Sequence, residues 1–520
     1  MDGHARGRGR GFVTAMDVNP ASHYALHIVS EQPLQARVSA MKKIPLLCVV
    51  ALVSQPALLR AQPRVVARVD SVLAPWSAPD GPGAAVAVLK DGQVVLERGY
   101  GSAQIEHRIP VTPATVFHVA SVTKQFTAFS VTMLAQQGKL SLDDNVRTHI
   151  RELPDFGKPV TIKQLIHHTS GLRDQWELLA MAGWRLDDVI TKDQILRMMT
   201  RQRELNFDPG SEHLYSNSGY TLLAEIVERV GGMPFPDWMQ QNVFRPLGMT
   251  STHMHVDHEH IVPGRAYSYW RGDDGVWHNS VLSYANAGAT SLFTTAGDLA
   301  RWLRNFETAQ VGGPTLIARM RERAILTSGD TISYAFGIAH GEQRGHTTWS
   351  HSGGDAGFRS YVVHFPELRL GVVVLSNNAG FRPAQVARDI ADVYLDALGA
   401  PAADRNGRAN DNRHRDTPAA TPAKLPPRRL AEFAGTYYSP ELETVYRVAV
   451  VDGKLSAHHQ RHPDITLTFA GGDAFTGDTW FFQRVAFTRT GGTVNGFRLT
   501  GGRVRSLRFV RLGEDVLAER

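Results

Sequence analysis

Ser121 stands three residues before Lys124 in the stretch Ala120-Ser121-Val122-Thr123-Lys124-Gln125-Phe126. No Pro or Gly falls between Ser121 and Gln137, Gly138 comes next as a stop signal, and Val122, Phe126, Phe129 and Met133 recur at helical spacing. The pattern predicts a helix with an apolar stripe. Residues three apart share a helix face with Cβ atoms roughly 5–6 Å apart, so this hydroxyl and this ammonium can meet. A hydroxyl is a weak nucleophile until a neighbouring group takes its proton, and the helix N-terminus adds positive potential beside the serine. Alone, Ser-x-x-Lys is a common tetrapeptide, and its weight comes from two more stretches. In Tyr215-Ser216-Asn217, residues two apart point the same way along an extended chain, so Tyr215 and Asn217 can face one cavity. A neighbouring Lys⁺ would lower the Tyr215 phenol from its usual pKa of about 10. In His351-Ser352-Gly353-Gly354, an edge strand would put His351 and Gly353 on one face, and the glycines leave room for a substrate backbone.

The elements that must hold these residues come from both ends of one unit. Ala85–Leu89 and Val94–Leu96 flank Asp91-Gly92, a tight-turn dipeptide, and predict a hairpin. Late β-runs at Tyr361–Phe365 and Leu370–Leu375 precede a helix over 383–398. The expected architecture is one sheet made from the two chain ends with a helical insert between them. Residues 399–428 have linker composition and are expected to be protease-sensitive, with cleavage there releasing residues 429–520 as an independent module. From 429 to 520, short β-runs with Gly-rich turns, including Val445–Val451, Ile465–Phe469, Trp480–Phe487, Phe497–Leu499 and Val504–Val510, predict a small antiparallel barrel.

The other end of the chain reads as a targeting segment. Met41-Lys42-Lys43, an apolar run over 44–59 and Arg60-Ala61-Gln62 have the form of a signal peptide over 41–61, after a Gly/Arg/Ala-rich extension over 1–40. The expected mature N-terminus lies near Gln62, and the expected location is periplasmic or secreted. The single cysteine, Cys48, falls inside the leader, so the mature chain needs neither disulfide nor thiol chemistry. Residues 1–61 hold 7 of the 56 Lys/Arg and 3 of the 50 Asp/Glu, so the net charge of +6 falls to +2 without them. No basic stripe points to nucleic acid, and no phosphate-cradling loop points to a nucleotide. His253, His255, His258 and His260, like His458, His459 and His462, lack the fixed spacing of a zinc site and read as surface loops. His167 and His168 read as structural residues under the turn His168-Thr169-Ser170-Gly171-Leu172. No metal and no cofactor is expected.

Ser121-x-x-Lys124, Tyr215-x-Asn217 and His351-x-Gly353, in that order, resemble the three boxes of the penicillin-recognising serine hydrolases. The similarity is to the branch of class C β-lactamases, D-alanyl-D-alanine carboxypeptidases, D-aminopeptidases and esterases. It covers residues 64–398, with support from Pro246-Leu247-Gly248-Met249 and Thr294-Thr295-Ala296-Gly297-Asp298-Leu299. The C-terminal part is similar to the lipocalin-like β-domains of some members. The resemblance implies a three-layer αβα domain with a helical subdomain, followed by the barrel. It implies Ser121 as nucleophile and Lys124 and Tyr215 as shared bases, with the resting base left open. It also implies Asn217 as an orienting group, an oxyanion hole from the Ser121 and Gly354 N–H groups, and substrate binding by His351, Ser352 and Gly353. The expected reaction is hydrolysis of an ester, amide or β-lactam through an acyl-serine. A D-alanyl-D-alanine carboxypeptidase or D-amino-acid peptidase is one alternative, and a penicillin-binding sensor or scaffold with little turnover is another. The partner is a small-molecule or peptide substrate, with cell-wall or membrane-surface proximity following from export; the oligomeric state stays open. The departure is His351, where β-lactamases of this family carry Lys. Such a His would pair with a substrate carboxylate only while charged, giving a pH dependence around 6.5.

Overall fold

A computed structural model describes residues 63–400 and 425–513. The 1–40 extension, the 41–61 leader and most of the 399–428 linker lie outside the described residues. The elements used below are, in chain order, α1 (Pro63–Leu73), β1 (Ala84–Lys90), β2 (Gln93–Tyr100), α2 (Thr123–Gln136), α3 (Gln175–Met181), α4 (Asn217–Gly231), α5 (Ala296–Thr308), β3 (Ala339–Gln343), β4 (His346–Asp355), β5 (Phe358–Phe365), β6 (Leu370–Ser376) and α6 (Pro383–Ala397). Strands β7–β14 (Gly435–Ser439, Thr444–Val451, Lys454–His458, Ile465–Gly471, Ala474–Thr479, Phe482–Thr490, Thr493–Thr500 and Leu507–Arg511) form the C-terminal module.

One six-stranded sheet runs β3-β4-β5-β6-β1-β2, every neighbour antiparallel. The two chain ends meet where β1 pairs β6 from Ala84↔Ser376 to Lys90↔Leu370. Strand β1 is apolar on both faces because both faces are covered. Val86 and Val88 pack with Val65, Val69 and Ile390 of α1 and α6, whereas Ala85, Ala87 and Leu89 join the core that holds Phe126 and Trp302 of α2 and α5. The β1–β2 turn has Asp91 at φ 50° and Gly92 at φ 73°, the tight-turn conformation that Asp-Gly favours. The result is the expected αβα sandwich with a helical subdomain inserted between β2 and β3.

The eight strands β7–β14 form a closed up-and-down barrel, sealed by β7 pairing with β14. Its interior is filled by Phe433, Tyr437, Phe475, Phe482, Phe487, Phe497 and Phe509, all buried. Eight strands enclose a space of the size that such side chains fill.

The linker composition suggests an independent barrel, but the barrel core is continuous with that of the hydrolase domain. Arg173, 1% exposed, holds Glu441 of the barrel, 3% exposed, at 2.7 Å. Tyr446 donates to the Met181 carbonyl at 3.1 Å, and His462 Nε2 lies 2.8 Å from the Ala180 carbonyl. The expected strand over 504–510 begins only at Leu507. Residues 501–506 form a loop that docks on α3, with Ser506 at φ 57°. A Cβ on Gly501 would stand 2.1 Å from Glu177 Oε1, so a larger residue there would displace the Glu177 carboxyl.

Candidate active site

Ser121 sits in a 3-10 turn, Ala120–Val122, immediately ahead of α2. Ala120 has φ 47°, a left-handed conformation that costs a non-glycine residue energy and that tertiary bonds must hold. Those bonds are present: Thr123 Oγ1 donates to the Ala120 carbonyl at 2.6 Å and accepts from Leu292 N at 3.1 Å. Strand β4 closes the other side. A Cβ on Gly353 would stand 2.3 Å from the Val119 carbonyl, so only glycine lets the strand lie against the Ser121 turn. Strand β3 pairs β4 only as far as Ser350, so residues 351–355 keep one free edge beside Ser121. Gly354 lies on that stretch, paired with Arg359 of β5, and both it and Ser352 are exposed.

Lys124 is fully buried. Its Nζ lies 3.2 Å from Ser121 Oγ, 2.8 Å from Asn217 Oδ1 and 2.7 Å from the Ala289 carbonyl. Burial drives its pKa well below the usual lysine value, and the Arg503 charge pushes it further down, while Asp174 and Asp355 oppose the shift. The Tyr215 ring centroid lies 4.8 Å from Lys124 Nζ, and burial raises its phenol pKa. The lowering expected from Lys⁺ is therefore reversed. Both shifts favour the neutral amine and the neutral phenol. In that state Lys124 can accept the Ser121 proton.

The loop carrying Tyr215 is zipped to His168. Leu214 N donates to the His168 carbonyl at 3.0 Å and Ser216 N to His168 Nδ1 at 3.1 Å, and the His168 and Tyr215 rings lie 4.2 Å apart. His168 thus has the structural role expected for it. Asn217 opens α4. Its N–H and its Nδ2 both donate to Asp174 Oδ2, at 2.8 and 2.7 Å, which turns Oδ1 toward Lys124.

His351 differs from expectation. It is buried, with Nε2 2.9 Å from the Tyr334 hydroxyl and Nδ1 2.6 Å from the Ser352 carbonyl. Burial and the nearby Lys124 hold its pKa down to about 4 rather than 6.5. It is a neutral histidine at physiological pH, bonded to the wall of the site. His253, His255 and His260 cluster against Phe293, with burial lowering His253 to about 4 and His255 to about 3. Among the described residues, no group of three side chains is placed to hold a metal ion.

Four site residues escaped the sequence reading. Asp174 orients Asn217. Tyr334 bonds His351. Asp355 accepts from Tyr284 at 3.1 Å and Thr290 at 3.0 Å, and lies 3.3 Å from His118 Nε2. Arg503 comes from the barrel loop, its guanidinium 4.9 Å from the Tyr215 ring centroid. Asp174 ends the run His168–Asp174 and caps α3, so an acid at a helix start was its available signal. Arg503 had none, because only the docking of the barrel brings it here.

The chain resembles the D-aminopeptidase of Gluconobacter oxydans (strain 621H), at 30% identity over 323 residues, 62% of this chain and 60% of the relative. The D-aminopeptidase of Brucella anthropi is 26% identical over 332 residues, 62% of this chain and 61% of the relative. The matches thus span about 60% of each relative's length. Among solved structures, the octameric penicillin-binding protein homologue from Pyrococcus abyssi aligns with a TM-score of 0.56 at 23% identity, over 86% of this chain and 99% of that one. A penicillin-binding protein from Bacillus halodurans aligns with a TM-score of 0.54 at 23% identity, over 65% of this chain and 99% of that one. Both share the fold. The Beta-lactamase family model matches residues 69–395, more than half of the sequence, and the chain belongs to that family.

Proposed function

We propose that the protein is an exported serine hydrolase that cleaves amide or ester bonds of short peptide-like substrates through an acyl-Ser121 intermediate. The observation that carries this reading is Lys124 Nζ at 3.2 Å from Ser121 Oγ, buried and driven toward its neutral form. Ser121 Oγ attacks the carbonyl carbon as its proton passes to Lys124. The oxyanion forms against the N–H groups of Ser121 and Gly354. Tyr215 delivers a proton to the leaving nitrogen or oxygen as the scissile bond breaks. Water then attacks the acyl carbon by the reverse relay, releasing the acid and restoring Ser121. The free edge at 351–355 suits an extended substrate backbone. D-configured residues are the class that the names of the relatives suggest, and the 41–61 segment supports export.

The test is a panel of p-nitrophenyl esters, D-amino-acid amides, acetylated D-dipeptides and a chromogenic cephalosporin, combined with mass spectrometry of fluorophosphonate-treated protein. The expected outcome is one adduct, on Ser121, and turnover of at least the esters. Labelling at another serine overturns the nucleophile. A stoichiometric burst with no steady state on every substrate would move the protein to the penicillin-binding sensor reading. N-terminal sequencing of exported protein, expected to begin near Gln62, tests the location.

A further inference from the structure

Several arginines at the seam between the barrel and the hydrolase domain are paired across it. Arg173 holds Glu441 at 2.7 Å, Arg498 holds Glu204 at 2.7 Å and Arg505 holds Glu212 at 2.9 Å. Arg503 differs. Among the described residues its guanidinium donates no hydrogen bond, and its one ion-pair contact is Asp174 at 3.9 Å. Asp174 Oδ2, the oxygen involved, already accepts two N–H groups from Asn217. The Arg503 side chain is 46% exposed.

The backbone beneath this cation is fixed. Gly502 N and Arg503 N donate to the two oxygens of Glu177 at 2.6 and 2.5 Å. The Arg503 carbonyl accepts from Asn206 Nδ2 at 2.9 Å and from Asp174 N at 3.3 Å. The guanidinium and Lys124 Nζ lie 4.9 and 4.8 Å from the Tyr215 ring centroid, so Arg503 borders the space in which Ser121 reacts. A planar fork of unbonded donors on a rigid loop is suited to bidentate carboxylate recognition. The histidine expected to do this work, His351, is buried against Tyr334.

We propose that Arg503, supplied by the barrel, is the residue that reads a substrate carboxylate, so that the preferred substrates carry a carboxylate near the scissile carbonyl and a free ammonium there is disfavoured. This rests on the acyl-serine reading above and adds to it a substrate class. The anions nearby do not cancel the cation. Glu177 is turned to the loop backbone, Asp174 to Asn217, and Asp355 to Tyr284 and Thr290.

The experiment compares kcat/KM for matched pairs on the full chain. One pair is N-acetyl-D-alanyl-D-alanine and its carboxamide; the other is p-nitrophenyl hemisuccinate and its methyl ester. D-alanine p-nitroanilide serves as the ammonium probe. A hydrogen-bonded charge pair contributes enough that the carboxylate member of at least one pair should be favoured about tenfold or more. Arg503→Ala should bring that ratio to within about twofold of unity, Arg503→Lys should keep part of it, and Arg503→Glu should invert it and raise turnover of the anilide. The preference should also weaken with added salt. No preference in the wild type, or an unchanged ratio in Arg503→Ala, overturns the proposal. An intact ester burst with a fluorophosphonate adduct on Ser121 but no carboxylate preference defeats this inference alone. Absence of any Ser121 adduct defeats both readings.

Discussion

The site is assembled from two regions with opposite physical character. The part built on α2, α4 and β4 is buried and closed. Lys124 Nζ has three partners within 3.2 Å, Asn217 is clamped by Asp174, and His351 is bonded through both ring nitrogens. The part lent by the barrel is a half-exposed guanidinium with no hydrogen bond among the described residues. Burial disfavours the charged forms of Lys124 and His351 because ionised groups lose hydration there. That suits proton transfer, which needs a base that is uncharged at working pH. It is unsuited to recognising an anion, which needs a cation that stays charged, and an arginine at the rim meets that need. On the proposed reading, chemistry and selection are divided between domains.

Substitutions in the buried half should have the largest effects. Ser121→Ala should lower kcat by about 10⁴–10⁶, as loss of a nucleophile does elsewhere, and leave the melting temperature within a few degrees. Lys124→Ala should cost on the order of 10³ or more while leaving an unsatisfied Asn217 amide. If Lys124→Ala hydrolyses esters within about tenfold of wild type, Lys124 is a structural bond and not the base. Next in size is Asp174→Ala, which frees Asn217 and should cost roughly 10²-fold in kcat. Asp174→Asn, which can still accept from Asn217, should recover part of that. Equal loss in both variants would mean that the Asp174 charge matters more than its orientation of Asn217.

His351→Lys tests the wall of the site. An ammonium at this buried position would face Lys124 and lose the Tyr334 contact, so activity should fall about tenfold and the melting temperature should drop. The ratio of cephalosporin to ester kcat/KM should not rise. A gain on cephalosporins would show that this position can reach a substrate carboxylate after all, and would shift the anion-reading role away from Arg503.

The two regions are also joined electrostatically, which gives a smaller effect of definite sign. As the proposed base, Lys124 works only above its own pKa, so activity should be lost on the acid side as the amine charges. Burial is the main cause of the low pKa; on top of it Asp174 raises the value and Arg503 depresses it. The acid limb of the kcat/KM profile on a neutral ester should therefore move to higher pH in Arg503→Ala and to lower pH in Asp174→Asn. Each shift should be about 0.3–1 pH unit, the Arg503 shift being the smaller because solvent screens a half-exposed charge. Shifts of the same sign in the two variants would show that the limb reports something other than Lys124.

How much of this could be read from the chain depends on how local each signal is. The Ser121/Lys124 spacing, the Asp91-Gly92 turn, β1 and the late strands are set by neighbours in sequence, and all appear where the patterns put them. Tyr215 and Asn217 were legible as a motif, but their anchors, His168 and Asp174, are brought in by tertiary contacts. Val504 lies in an apolar alternation that reads as strand, yet the chain leaves the barrel at Gly501 to meet Glu177, a contact between residues more than 300 positions apart. The type of His351 was plain and its charge was not, because charge is set by burial and by Tyr334. The barrel was foreseen as a fold but not as part of the site.

The joint itself supplies the last and smallest effect. Glu177 on α3 is buried against the barrel loop, and burial raises its pKa to about 7, against the partial compensation of the Gly502 and Arg503 N–H groups. A carboxyl raised in the folded state binds its proton more tightly there than in the unfolded chain, where it titrates near 4.5. Its contribution to stability is therefore full below about pH 4.5 and is lost as pH rises through about 7. Glu177→Gln carries no such proton. It should be less stable than wild type at about pH 5, where it loses one of two backbone contacts, and the gap should narrow or reverse by about pH 8. The expected change in relative melting temperature is about 2–4 °C. If Glu177 instead stays ionised throughout, held by its two N–H donors, the difference between the two proteins will be flat from about pH 5 to 8. The carboxylate preference of the wild type is the companion measurement. Because the same carboxyl pins the Arg503 backbone, loosening this joint should weaken that preference in Glu177→Gln before it touches turnover of a neutral ester, which depends on the buried half of the site.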